Sequence, residues 1–168
     1  PSFLWAPAAS GSLLLTGQGS SAPALLQDRA RGVVGRVVGK APIGWGGLSG
    51  AKWNVSVASG VAQLTSDLIG TYNPTPDSQV VVFGYSQGAT VASQVKRNLG
   101  QLSDAQKADI AFVLIGNPNR PNGGILSRFA GISLFGITFN GSTPTNSNPL
   151  NPLTTYDITR QYDGISDF

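Results

Sequence analysis

Residues 79–100, QVVVFGYSQGATVASQVKRNLG, constrain the fold more than any other stretch of the chain. Gln79 to Phe83 is a run of β-branched and aromatic residues, long enough for a buried strand and too short for a helix. Gly84-Tyr85-Ser86-Gln87-Gly88 follows directly. Ala89, Ala92, Val95 and Leu99 then recur at helical spacing, with Lys96 and Arg97 in the last turn and Gly100 as a stop. The pattern predicts a strand, a tight Gly-x-Ser-x-Gly turn and a helix. Such a turn needs almost no side chain two residues before and two after the serine, and it lifts Ser86 Oγ above the sheet. The helix N-terminus behind it favours developing negative charge. A serine that only caps a helix would have the same spelling; the strand before and the helix after favour a nucleophile.

Composition narrows the reading. The 168 residues amount to one domain's worth of chain, and its first residue is Pro1 rather than Met, as expected of a processed or excised piece of a longer protein. Only 11% of residues are charged, all acids are Asp, and the eleven Lys and Arg are scattered, which argues against nucleic acid as a partner. There is no cysteine, which excludes thiolate metal sites and Cys nucleophiles, and nothing calls for a metal or other cofactor. No run of 18 or more apolar residues is present to span a membrane. The chain also has no histidine, although a serine nucleophile normally hands its proton to an imidazole.

Along the chain, Ser12 to Thr16 reads as a first core strand ending in the loop Gly17-Gln18-Gly19-Ser20-Ser21. A helical hint covers Ala24 to Val38, weakened by Gly32 and Gly35. Ser56 is placed to cap a helix carrying Val57, Val61, Leu64 and Leu68, with Gly70 as its stop and a turn at Asn73–Asp77. Ser103-x-x-Gln106 reads as a capping box, and Ile110 to Ile115 as a further strand. The long Asn117 to Pro152 stretch contains an apolar segment, Ile132 to Phe139, that is either a lid lining an acyl pocket or an extra hairpin. Thr154 to Tyr162 alternates as a last strand and runs into Asp163-Gly164-Ile165-Ser166-Asp167-Phe168.

Strands alternating with helices predict an α/β fold with a mostly parallel sheet covered on both faces, a three-layer sandwich of the α/β-hydrolase kind. In that arrangement Ser86 is the nucleophile, and the backbone N–H groups of Gln87 and of the Gln18 loop are the oxyanion donors. A carboxylate past a late strand serves as the triad acid. Asp167 fits the common layout slightly better, with Asp163 close behind and Asp157 next in line; an ordinary turn aspartate is the alternative for each.

With these residues in place the chain resembles the PE-PPE domain, a serine-hydrolase domain of mycobacterial proteins related to cutinases. The carrying segments are VVVFGYSQGATVASQV at 80–95, GNPNRPNGGILSRFAGI at 116–132, GITFNGSTP at 136–144 and DITRQYDGISDF at 157–168. The first loop departs from the family's Gly-Gly-Thr-Gly, reading Thr16-Gly17-Gln18-Gly19. The resemblance implies a single hydrolase domain over 1–168, hydrolysis of short- to medium-chain acyl esters, a triad histidine a few tens of residues past Phe168, and a secreted or cell-envelope setting. It makes an acyl ester or lipid the partner, with peripheral contact with envelope lipids. The alternatives are an acyltransferase of trehalose-type envelope lipids and a catalytically dead binding scaffold.

Overall fold

The computed structural model describes residues 11–18, 34–41, 50–75, 79–144 and 154–168. Its elements are β1 (Gly11–Gln18), β2 (Val34–Ala41), α1 (Gly50–Ser66), β3 (Gln79–Tyr85), α2 (Gln87–Arg97), α3 (Asp104–Ala108), β4 (Ile110–Ile115), α4 (Ile125–Arg128), β5 (Ser133–Leu134), β6 (Ile137–Thr138) and β7 (Thr154–Ile158). Five strands form one sheet in the order β2-β1-β3-β4-β7, every neighbouring pair parallel. The chain steps from β1 outward to β2 and then back across to β3. The carboxyl ends of β1 and β3 therefore flank the point where the winding reverses, the crevice in which open α/β sheets bind ligands.

The core lies between this sheet and the pair α1 and α2. Val80 and Val82 of β3 and Ile110, Phe112 and Leu114 of β4 are buried on one face against Leu64, Leu68, Ala92 and Val95. The alternation along β4 is complete: every second residue is buried and the others are half-buried. α1 lies close on α2 at Gly60, where a Cβ would sit 2.9 Å from Val91 Cγ2.

Several local readings hold. β3 and β4 form where expected, and the Ser103–Gln106 capping box is closed in both directions, Gln106 N–H to Ser103 Oγ (3.2 Å) and Ser103 N–H to Gln106 Oε1 (3.0 Å). β1 runs on past Thr16 through Gly17 and Gln18, which pair with Lys40 and Ala41 of β2, and α2 ends at Arg97 rather than at Gly100, with Leu99–Gln101 forming a separate 3-10 turn. Others are corrected. Residues 34–38 of the helical hint are strand, because pairing beside β1 uses the β-branched Val34, Val37 and Val38 better than a glycine-interrupted helix would; residues 24–33 lie outside the described residues. α1 begins at Gly50, so Ser56 is in mid-helix and its hydroxyl is used elsewhere. Gly70 does not end the helix. The last turn widens until Asn73, in the left-handed region at φ 40°, donates its N–H to Leu68 C=O at 3.1 Å. The last strand stops at Ile158 rather than Tyr162, since Ile158 already faces Ile115, the final residue of β4. Ile132 to Phe139 forms a small antiparallel hairpin, β5–β6.

Candidate active site

Ser86 follows β3 with φ 53° and ψ −118°, a conformation that a non-glycine residue adopts only under constraint. The constraint is visible on both sides. Ser86 N–H continues the sheet ladder to Ile115 C=O (3.0 Å), while its own carbonyl accepts from Ala89 N–H (2.9 Å) and starts α2. Gly84 makes the turn possible, because a Cβ there would lie 2.8 Å from Ala89 Cα and from Gly88 O. Any side chain would push strand and helix apart and lower the serine back into the sheet.

Gln87 occupies the first position of α2, where a backbone N–H has no acceptor within the helix. Its side chain is only 3% exposed: Oε1 accepts from Ser56 Oγ of α1 at 3.3 Å, and Nε2 has no partner among the described residues. Gln18 ends β1, and Thr16 lies directly opposite Gly84 across the β1–β3 ladder. Two residues further along each strand, Gln18 and Ser86 reach the same rim of the sheet.

The two candidate aspartates have separate surroundings. Asp163 Oδ1 accepts from Ile165 N–H (2.9 Å) and Ser166 N–H (3.4 Å). Those bonds, the Ile165 amide first, hold its carboxyl below the usual range and keep it ionised. Asp163 Oδ2 points over Gly116, the residue after β4: it is 3.6 Å from where a Cβ would stand there, and the Tyr85 ring is 3.8 Å from the same point. It therefore shares the rim with Ser86. Asp167 faces away, into the 116–124 loop. Its Oδ1 pairs with Arg120 Nη1 (3.2 Å) and its Oδ2 accepts from Tyr162 N–H (3.1 Å). Neighbouring backbone bonds from Ile125 N–H to Ile165 C=O (2.9 Å) and from Phe168 N–H to Gly123 C=O (2.8 Å) make this a structural seam.

Beneath the rim runs a buried polar network that no local pattern announces. Asn117, fully buried, donates to Asp157 Oδ2 (2.8 Å) and to Thr143 Oγ1 (2.9 Å), and its Oδ1 accepts from Asn119 N–H (3.0 Å). Thr143 also bonds Ser93 of α2 at 2.7 Å. Lys96 Nζ donates to Pro144 C=O (2.6 Å) and Thr155 Oγ1 (2.8 Å), and burial pushes its pKa down to about 8. Together these residues tie α2, the loop after β4, the 140–144 segment and β7 into one block. The long Asn- and Pro-rich stretch is in this part load-sharing structure rather than a free lid.

Asp157 governs the behaviour of that block in the acid range. Burial raises its pKa, while the Asn117 hydrogen bond and the Arg120 charge pull it down. A carboxyl raised in the fold contributes stability at low pH that is lost as pH rises through its folded pKa. Asn117 counters that loss by stabilising the ionised form. Asn117→Ala should therefore cost about 3 kcal/mol at neutral pH, and the deficit should narrow on acidification, as chemical denaturation of both proteins across the acid range would read.

Fold and site together define the class. The chain has the α/β-hydrolase fold seen in cutinase-like and acetyl xylan esterase structures. It is similar to a cutinase-like protein from Cryptococcus sp., with TM-score 0.54, 18% identity and 94% of this chain and 79% of that chain covered. It is also similar to an acetyl xylan esterase, with TM-score 0.52, 19% identity and 88% and 82% covered. Residues 40–168 match the PE-PPE domain, and the chain belongs to that family. Among its relatives in Mycobacterium tuberculosis, Esterase PE16 is 42% identical over 129 residues, covering 74% of this chain and 23% of the relative. The uncharacterized PPE family protein PPE28 is 45% identical over 116 residues, covering 67% and 17%. The chain thus spans about a fifth of the length of these relatives. Among the described residues no helix is long and apolar enough to cross a membrane.

Proposed function

We propose that this chain is the nucleophile-bearing part of a serine ester hydrolase acting on short- to medium-chain acyl esters. The observation that carries the reading is the strained backbone of Ser86, held at φ 53° between a sheet ladder and a helix N-terminus. Strain of this kind persists where the surroundings enforce it, and it sets Ser86 Oγ beside helix N–H donors. The relationship to Esterase PE16 supports the same chemistry.

In this mechanism Ser86 Oγ attacks the ester carbonyl carbon, and the oxyanion is held by the Gln87 N–H with a second donor from the end of β1 at Gln18. A histidine accepts the Oγ proton and returns it to the departing alcohol as the acyl-enzyme forms. Water then attacks the acyl carbon, giving its proton to the same imidazole, and Ser86 is released with the free acid. The histidine comes from outside these 168 residues, which contain none. Asp163 is the carboxylate that orients it. Its ionised, outward Oδ2 supports that role over Asp167, which is engaged by Arg120.

The test is covalent labelling. In a protein that includes the histidine-bearing segment, a fluorophosphonate should modify Ser86 alone. Modification at Ser20 or Ser166, with Ser86 unlabelled, would remove the assignment.

A further inference from the structure

The β5–β6 hairpin turns through Phe135 and Gly136, both at positive φ (50° and 76°), the pattern of a type I′ turn. That turn strongly prefers Asn-Gly, and a bulky aromatic in the left-handed region is costly. Phe135 is also 90% exposed. Backbone preference and hydration therefore both disfavour phenylalanine at this position. The other non-glycine residues at positive φ among the described residues have structural accounts: Asn73 ends a helix, Ser86 forms the elbow, and Tyr162 is fixed through its N–H by Asp167. Phe135 has no such account among the described residues.

The hairpin under this tip is tied to α1, the helix that also contacts Gln87. Asn54 of α1 grips Thr138 twice, Nδ2 to Oγ1 and Oδ1 from N–H, each at 3.1 Å. Two residues along α1, Ser56 bonds Gln87 beside the nucleophile. Phe129 packs edge-on against Phe139 (6.0 Å) and Phe168 (6.3 Å), bracing the base. Leu134, beside the tip, is half exposed, and Ile132 nearly so.

Charge indicates what meets this tip. From Ile110 to Tyr156 the sequence has Arg120 and Arg128 and no carboxylate, within a chain of net charge +3. Arg128, on α4 just before Phe129, is exposed, and Arg120 is shared with Asp167. An exposed aromatic tip on a segment that itself carries only cationic charge, with Arg128 exposed behind it, is suited to a lipid–water interface of negative charge. The geometry points to Phe135, with Leu134, as a wedge that inserts into an anionic lipid surface and holds the elbow at that surface. This extends the ester-hydrolase reading by giving the substrate's physical state, and its test does not depend on turnover.

Flotation of the intact protein with vesicles of diether phosphatidylglycerol, compared with diether phosphatidylcholine, reads the binding; neither lipid contains a carboxylic ester. The protein should float with the anionic vesicles, and added salt should weaken the association. Phe135→Asn should lower the partition coefficient at least about tenfold while the thermal midpoint stays level or rises, because asparagine suits the turn. Loss of binding without loss of stability separates a docking role from a structural one. The inference is overturned by absence of vesicle binding, by equal binding of Phe135→Asn, by equal binding to the neutral vesicles, or by loss of binding that tracks unfolding. It is equally overturned if the wild type is a dimer that Phe135→Asn dissociates without any vesicle association, since the tip would then serve a second copy of the chain.

Discussion

In a protein that carries its histidine, Ser86→Ala should reduce kcat on a p-nitrophenyl ester by on the order of 10⁶-fold, the loss seen when a triad nucleophile is removed. The fold should persist, because the elbow side chain projects from the rim while Gly84, Ala89 and the Ile115 ladder shape the turn by backbone contact. Ser86→Gly should be equally inactive yet more stable than Ser86→Ala by about 1 kcal/mol, since glycine adopts φ 53° without a Cβ penalty. Triad members act as a unit, so their losses do not add. The 168 residues alone contain no imidazole; they should already be inactive, and Ser86→Ala within them should change little further. Steady-state kinetics with thermal unfolding on the same variants reads all of this. Esterase-level turnover by the 168-residue chain, abolished by Ser86→Ala, would require a base other than histidine and overturn the mechanism.

What was legible in the sequence was local. The elbow is specified by residues within one strand, one turn and one helix, so spelling and periodicity sufficed for β3, Ser86 and α2. The Ser103–Gln106 box was legible for the same reason, both partners lying within a single helical turn. The helical hint over 24–38 failed at Val34–Val38, where i, i+3, i+4 apolar spacing fits either state and pairing beside β1 decides. Ser56 was misread because a serine before an apolar helical run resembles a cap. Its use, a bond to Gln87 31 residues away, has no local signature. The Asn117 network was invisible on the same grounds: its members come from α2, two loops and β7, and only folding brings them together. The aspartates lie between these cases. Two carboxylates four residues apart after a strand were readable as candidates, but their orientation depends on how the 116–124 loop captures Asp167.

That orientation yields the second large effect. Asp163→Asn should cost about 10⁴-fold in kcat, the scale for a triad acid that can no longer hold the histidine's tautomer, with a thermal midpoint close to wild type. An asparagine oxygen still accepts from the Ile165 and Ser166 amides, so the turn survives while the ionised oxygen over Gly116 is lost. Asp167→Asn should show the reverse balance. It removes the charge opposite Arg120, a pair in which both side chains are about one-third exposed, and so should lower stability by up to about 1 kcal/mol and kcat far less than Asp163→Asn. The sequence layout had put Asp167 slightly ahead; the ion pair and the inward-facing seam are the physical reason for preferring Asp163. The two variants discriminate because one carboxylate is asked for charge at the rim and the other for cohesion behind it. A 10⁴-fold loss in Asp167→Asn with Asp163→Asn near full activity would reverse the assignment, and full activity in both would move the acid to Asp157, whose half-buried carboxyl would then have to leave its hydrogen bond to Asn117.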